Sequence, residues 1–362
     1  MSTGEWNFLA GRFVGDGSID ILETELPLDV SSIDRNLSAP SSMDGKITNA
    51  VKRLKKGGRP IFEPWNTVLI AEASGTIRGM SIYQKPEFNG SVWQLNQIGL
   101  SGYPLGMPYD GEASFTDADP LDMFRHVWAH LQGFPAGNLG ITVSDLTSPV
   151  RVGTPEVEGQ SETGPRKLNW WTTTNLGTVI DNLAKETPFD WLERVYWDGD
   201  QPHCHLDLGY PTIGGRKDHM RFVLGENLAS EPGVTEADYV NQVQVLGAGE
   251  GRDRVRGYAG VADGRLRRVR SVDDKGLSSV DQANARARDE MNATRGQLVV
   301  DELVVFDHIN APLESIELGD EIPLFAEMDW ATVDDYVRVV GKTESPQRSD
   351  AATLTVVRTV QA

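Results

Sequence analysis

Apolar and polar residues alternate over 18–30 (SIDILETELPLDV), the pattern of a strand with one face buried. A polar stretch, 31–45, follows and predicts a turn region. Ile47, Val51 and Leu54 then fall on one face of a short basic helix, closed by Gly57 and Gly58. Segments 67–73 (TVLIAEA), 77–83 and 92–98 are strands joined by glycine turns, so the first 115 or so residues are mainly β, with strands short enough for a barrel or a sandwich.

Helical spacing begins at Asp119, an N-cap residue, with Pro120 suited to the first helical position. Leu121, Phe124, Val127, Trp128 and Leu131 form the apolar stripe, and Gly133 and Pro135 end the helix. The Pro/Gly/Thr/Glu-rich stretch 144–167 predicts an exposed loop or strand-flanked arm. A second helix is expected over 175–185 on Leu176, Val179, Ile180 and Leu183, and Thr187-Pro188 restarts a helical turn carrying Phe189, Trp191 and Leu192. Residues 203–208 alternate as a strand and GYPTIGGR turns the chain. Strands at 240–246 and 266–272 surround an arginine-rich hairpin. Residues 278–294 are a helix capped by Ser278 or Ser279, with a narrow face of Val280, Ala283, Ala287 and Met291. Beyond Gln297 the chain is β again, and no internal repeat stands out.

Charge changes this picture more than overall composition does. Among 362 residues, 53 Asp and Glu face 34 Lys and Arg, a net −19. That sign opposes general nucleic-acid binding, which rests on cations that release counterions from phosphate. It suits a passage through which DNA slides without sticking, and equally it keeps a chain soluble. The single cysteine, Cys204, excludes an intramolecular disulfide and fits assembly in a reducing compartment. No basic region followed by a long apolar run opens the sequence, and no run approaches the ~18 apolar residues of a membrane span. The expectation is a chain neither conventionally exported nor membrane-embedded.

Each candidate chemistry has a plainer reading beside it. His126 and His130 have the spacing of a metalloprotease pair, but Val127 stands where the general-base glutamate belongs, so helix-surface or interface histidines are favoured. His203 and His205 share a strand face with Cys204 on the other, and a metal there lacks further ligands at motif spacing. GAGEG (247–251) resembles a dinucleotide fingerprint, yet RDRVRGYAG continues as a charged hairpin rather than a helix. Basic clusters at 52–59 and 252–270 are candidates for nucleic acid; Asp253 and Asp263 within the second favour a protein interface. The nine tryptophans, including the pair Trp170 and Trp171, are candidates for a glycan-stacking platform or for core and subunit anchors. The acid pairs, such as Asp329 with Asp334 and Asp335, and the absence of a G-x-S-x-G elbow single out no hydrolase. No catalytic, cofactor or metal residue is assigned. Subunit-contact candidates are Arg252, Arg254, Arg256, Arg267, Arg268, Trp170 and Trp171.

Several segments, in order, carry a family resemblance: DRNLSAPSSMDGKI, PWNTVLIAEASGTIRGMSIY, GLSGYPLGMPYDG, DPLDMFRHVWAHLQGFPAGNLGITV, TPFDWLERVYWDG, LDLGYPTIGGR, GAGEGRDRVRG and SIELGDEIPL. Together they resemble the minor tail proteins of long-tailed actinobacteriophages, specifically their baseplate-hub group. The resemblance implies a β-rich α+β chain with two small β-barrel domains and accessory α/β domains. Divided accordingly, 1–116 is a first barrel-like domain and 117–221 an α/β accessory domain bearing the arm 144–167. Residues 222–296 form a hairpin-plus-helix region, and 297–362 a C-terminal barrel-like region. It further implies a structural homotrimer in the virion tail tip, assembled in the host cytoplasm. The hub would join a sixfold tube to a threefold tip, contacting a distal tail ring protein, a tape-measure protein and adsorption proteins, with phage DNA passing through. A tail-tip cell-wall hydrolase or peptidase and a carbohydrate-binding adsorption module are the other function classes. The Ala-rich helix face would allow close approach of a neighbouring element.

Overall fold

The segment TVLIAEA is apolar at nearly every position, which suits a strand covered on both faces. In the computed structural model, Thr67–Ala73 sits in the middle of a five-stranded antiparallel sheet. The spatial order of that sheet is Gln97–Gly99, Thr76–Tyr83, Thr67–Ala73, Trp6–Phe13, Ile19–Glu23. All residues are described except 1–5, 156–163, 233, 237–239, 263, 278, 295–297, 330–331 and 359–362. The chain divides into two compact units, one of Met1–Glu231 with Glu302–Ala362 and one of Pro232–Asp301.

Alternate residues of the central strand serve two different cores. Val68 and Ile70, with Leu9, point into a cluster that holds the helix stripe Leu121, Phe124, Val127, Trp128 and Leu131. Leu69 and Ala71, with Phe8 and Ala10, point the other way, into a cluster with Ile33, Met43, Ile47 and Val51. Burying each large side chain contributes roughly 1.5–3 kcal/mol, so the sheet is stabilised from both faces. The first cluster's helices are α2 (Pro120–Gln132) and α3 (Leu176–Glu186). Asp119 caps α2 as expected: its carboxylate accepts from Leu121 N at 2.9 Å and also from Ser148 N and Oγ. Gly133 is the C-cap.

The second sheet gathers strands from both ends of the chain. Its main path runs Phe222–Val223, Glu321–Glu327, Thr332–Ser345, Asp29–Asn36, Ser42–Ile47, Trp93–Gln94, Glu87–Phe88, and Glu302–Phe306 joins through Arg348–Arg358. Gly341 to Glu344 lie opposite Asn36 to Ile33. Among the described residues the strand pairings form open paths rather than closed rings, so the chain is mainly β without a closed barrel in view.

Five local expectations are corrected. The strand predicted over 18–30 is two strands, Ile19–Glu23 and Asp29–Asn36, parted where Pro27 has no N–H to donate. The turn expected over 31–45 is mostly the hairpin of Asp29–Asn36 with Ser42–Ile47; its polar residues bond one another, as Ser32 Oγ donates to Asp34, and its apolar Ile33 and Met43 go fully inside. The helical turn expected at Phe189 to Leu192 is instead the start of strand Asp190–Asp198, paired along its length with Gln201–Gly209. The helix predicted on Ile47, Val51 and Leu54 shrinks to α1 (Asn49–Lys52), followed by a small hairpin turned by Gly57 and Gly58. The segment 92–98 divides into two short strands that join different sheets.

In the unit Pro232–Asp301, Gln242–Leu246 pairs antiparallel with Arg256–Gly260 and parallel with Val269–Asp273. Helix α4 (Val280–Thr294) covers one face, packing Ala283, Ala287 and Met291 onto Val243, Val245 and Ala259. Ser279 Oγ accepts from Gln282 N and the Gln282 side chain accepts from Ser279 N, a reciprocal capping box; the other proposed cap, Ser278, lies outside the described residues. The narrow alanine face does receive a close neighbour, and it is the chain's own strand. A Cβ on Gly257 would stand 2.2 Å from the Ala283 carbonyl carbon, so only glycine fits there.

Candidate functional site

The histidines are held by ordinary packing and hydrogen bonds. His126 Nε2 lies 2.8 Å from Tyr109 Oη, and His130 Nε2 accepts from Asp110 N at 3.3 Å. Burial lowers the pKa of both rings. His205 contacts Thr142 and Ser144 and stands 3.4 Å from Asp207, while His203 stacks on Tyr196. Cys204 faces the core, where burial pushes its thiol well up. No group of three or more His, Cys, Asp or Glu side chains converges as a metal cluster among the described residues. Gly247 to Gly251 form a turn stitched by Gly247 N to Val255 O and Val255 N to Ala248 O, followed by a 3-10 turn and a strand rather than a helix.

The arginine cluster divides into ties and exposed groups. Arg254 donates to the Leu246 and Gly247 carbonyls and pairs with Asp273, fastening the hairpin. Arg256 and Arg267 are exposed and bond to Gln244 and Gln242 respectively. Arg252 and Arg268 are exposed as well, and the Arg268 amide donates to Asn241 Oδ1 at 2.8 Å. Strand registration puts Arg256 and Tyr258 beside Leu246 and Gln244, with Asp273 and Ser271 on the far side. These lie on the sheet face opposite α4. Tyr258 is 43% exposed and Val269 41%.

Trp170 and Trp171 are 60% and 53% exposed and meet edge to face at 5.3 Å. They follow strand Arg166–Asn169, which pairs with Glu112–Phe115 as a two-stranded ribbon. Beside Trp171 lies a hollow of about 310 Å³. The first part of the arm 144–167 is irregular apart from a bridge between Val152 and Ala118; residues 156–163 lie outside the described residues.

Some structurally telling residues carry no motif signal. Glu193, on a strand whose neighbours Trp191 and Leu192 are also buried, accepts from Ser41 Oγ at 2.6 Å and from Ser101 N at 2.8 Å. Burial raises its carboxyl pKa against those bonds. Ser38 N donates to Trp191 O, and Gly99 lies so close to Ser41 that a Cβ would stand 2.3 Å from its Oγ. The NLSAPSS and GLSGYP segments thus meet on one buried carboxylate. Lys342, 2% exposed, donates to Leu313 O and stands 3.8 Å from Glu344. In sequence it is one more charge in an alternating strand; its burial comes from packing around it.

No protein-family model matches the chain, and no curated protein matches it in sequence. Solved structures do. The 43 kDa tail protein of prophage MuSo2 from Shewanella oneidensis aligns over 98% of both chains at 12% identity with a TM-score of 0.56. The tail protein from Neisseria meningitidis MC58 aligns over 98% of this chain and 97% of its own at 12% identity and 0.52. The prophage tail protein gp18 from Listeria monocytogenes EGD-e aligns over 98% and 95% at 11% identity and 0.50. The chain has the fold of these tail proteins along its whole length.

Proposed function

We propose that this chain is a structural phage tail protein, the central hub of a tail tip in the manner of long-tailed actinobacteriophages. The observation that carries the reading is end-to-end likeness: the alignment with a solved prophage tail protein covers 98% of the chain. Three copies, each contributing two barrel-like regions built around 1–116 and 297–362, would match a sixfold tube to a threefold tip. Residues 117–221 and 222–296 would then serve as accessory regions. The neighbours would be a distal tail ring protein, a tape-measure protein and adsorption proteins, with assembly in the host cytoplasm.

The net charge of −19 supports a lumen that lets DNA pass without binding it. The exposed arginines support the subunit-contact role: Arg252, Arg256, Arg267 and Arg268 belong to a unit whose acidic and basic side chains balance within an acidic chain, and Arg254 holds the hairpin that presents them. The reading assigns the chain no reaction.

Negative-stain electron microscopy of the purified chain, with native mass spectrometry, tests the proposal. Threefold rings with a central hole are the expected result. A chain that stays monomeric at high concentration, and is missing from particles released by its host, overturns it.

A further inference from the structure

The ribbon beside Trp171 has the makings of a ligand site that the hub role leaves unused. In that ribbon Glu112 lies opposite Asn169, and Ser114 opposite Lys167. Strand alternation places these four side chains on one face, while Ala113, Phe115 and Leu168 belong to the core side. Trp171 stands at the end of the polar face and closes the hollow of about 310 Å³ with Glu112, Ser114, Lys167 and Asn169.

The indole is carried on a tied turn rather than a loose loop. Trp170 N donates to Gly111 O at 2.9 Å, and Thr173 N to Asn169 O at 2.8 Å. Asn169 N donates to Thr173 Oγ1 at 3.2 Å, and Tyr109 N to Thr173 O at 2.9 Å. Trp170 then braces Trp171 edge-on, at 83° between ring planes. The two indoles are therefore held in place before anything binds, which lowers the ordering cost of recognition.

The chemistry of the lining selects among occupants. A protein anchor is favoured by a pocket that surrounds it with apolar groups; here only Trp171 and Ala113 are apolar. A pyranose ring instead offers a flat C–H face and a rim of hydroxyls, each both donor and acceptor. An aromatic plate meets the first, and a carboxylate, an amide, a hydroxyl and an ammonium meet the second. We infer that the hollow bounded by Trp171, Glu112, Ser114, Lys167 and Asn169 binds a pyranose unit of an oligosaccharide, stacked on the Trp171 indole. This inference does not depend on the hub reading.

Saturation-transfer difference NMR on the full chain, with cellotetraose, tetra-N-acetylchitotetraose and mannotetraose as probes, tests it. Transfer to the ring C–H protons of at least one probe is expected. Calorimetric titration with that probe should show Trp171→Ala weakening binding about tenfold, equivalent to one lost stacking contact. Glu112→Gln and Asn169→Ala should each weaken it several-fold, and the milder Trp171→Phe should retain part of the affinity if Trp171→Ala does not fold. Absence of transfer to all three probes overturns the inference. So does binding that Trp171→Ala and Glu112→Gln leave unchanged. A Trp171→Ala chain that loses ring assembly while the wild type binds no sugar assigns the indoles to subunit contact and overturns it as well.

Discussion

Two sheets in this molecule treat their faces in opposite ways. Thr67–Ala73 is covered on both sides, Val68 and Ile70 feeding one core and Leu69 and Ala71 another. Gln242–Leu246 is covered on one side only, with Val243 and Val245 under α4 and Gln242 and Gln244 on the open side. Charge follows the same division. Residues 232–301 hold eleven acidic and eleven basic side chains, so the whole surplus of nineteen negative charges lies in the other unit. A sheet buried on both faces can only be scaffold. A half-covered one keeps a row of side chains for contact.

The sharpest test of that contrast compares truncations on the two kinds of face. Trp128→Ala, at a site 1% exposed against the two-faced sheet, should cost about 3–5 kcal/mol by equilibrium denaturation. Tyr258→Ala, on the open face, should stay within about 0.5 kcal/mol. Similar losses at the two sites would mean that the open face is not open in solution.

A second test uses the buried cation of the larger unit. Lys342 is nearly enclosed, and burial lowers its ammonium pKa to about 8. The native state then sheds this proton near pH 8, whereas an unfolded lysine keeps its own to about 10.4. Lys342 therefore holds native stability down below pH 8, and stability rises as pH climbs from about 8 toward 10.5, by up to about 3 kcal/mol. Urea denaturation at pH 7.5, 9 and 10 should show the rise in the wild type relative to Lys342→Met, in which other lysines titrate alike. Parallel pH profiles would refute the account.

How far the sequence revealed these regions depended on where each segment found its partners. The α2 helix was legible because its cap, first-turn proline and apolar stripe are all local. QVQVL was legible because one side of it stays wet, so the alternation survives. Residues 31–45 were not, since Arg35 pairs with Lys342, some three hundred positions away, and its polar neighbours bond one another instead of turning out. Phe189 to Leu192 misled for a related reason: Trp191 and Leu192 are both buried, on opposite sides of a strand, and that erases the period-two signal. For the candidate sites, residue type was legible and environment was not. The tryptophan pair drew notice by composition, but the ribbon face and hollow beside it depend on the pairing of 112–115 with 166–169. The arginines drew notice as a cluster, yet only the fold separates Arg254, which binds two carbonyls, from its exposed neighbours.

A smaller effect is expected where the half-covered sheet meets its helix. Gly257→Val would drive a side chain into the Ala283 backbone, and overpacking of this kind costs roughly 1–3 kcal/mol. Because 232–301 packs as its own unit, the loss should appear as faster hydrogen exchange at the amides of 242–246 and 256–260, with those of 67–73 unaffected. Equal acceleration in both regions would show that the two units unfold together.

The smallest effect on stability should accompany the largest effect on assembly. Arg256 and Arg267 are exposed and, among the described residues, bond to neighbouring glutamines, so reversing both to glutamate should change folding stability by no more than about 0.5 kcal/mol. If the open face is the subunit contact, the same change sets acid against an acidic chain, and ring formation should fall sharply and recover in part at high salt. Arg254→Ala is the control. It takes the guanidinium donors from the Leu246 and Gly247 carbonyls, the first of which still accepts from Asp274 N, and unpairs Asp273, so it should cost about 1–2 kcal/mol in this unit and impair assembly only through the hairpin. Charge reversal that leaves rings intact by microscopy would remove the open face from the assembly and leave it as solvated surface.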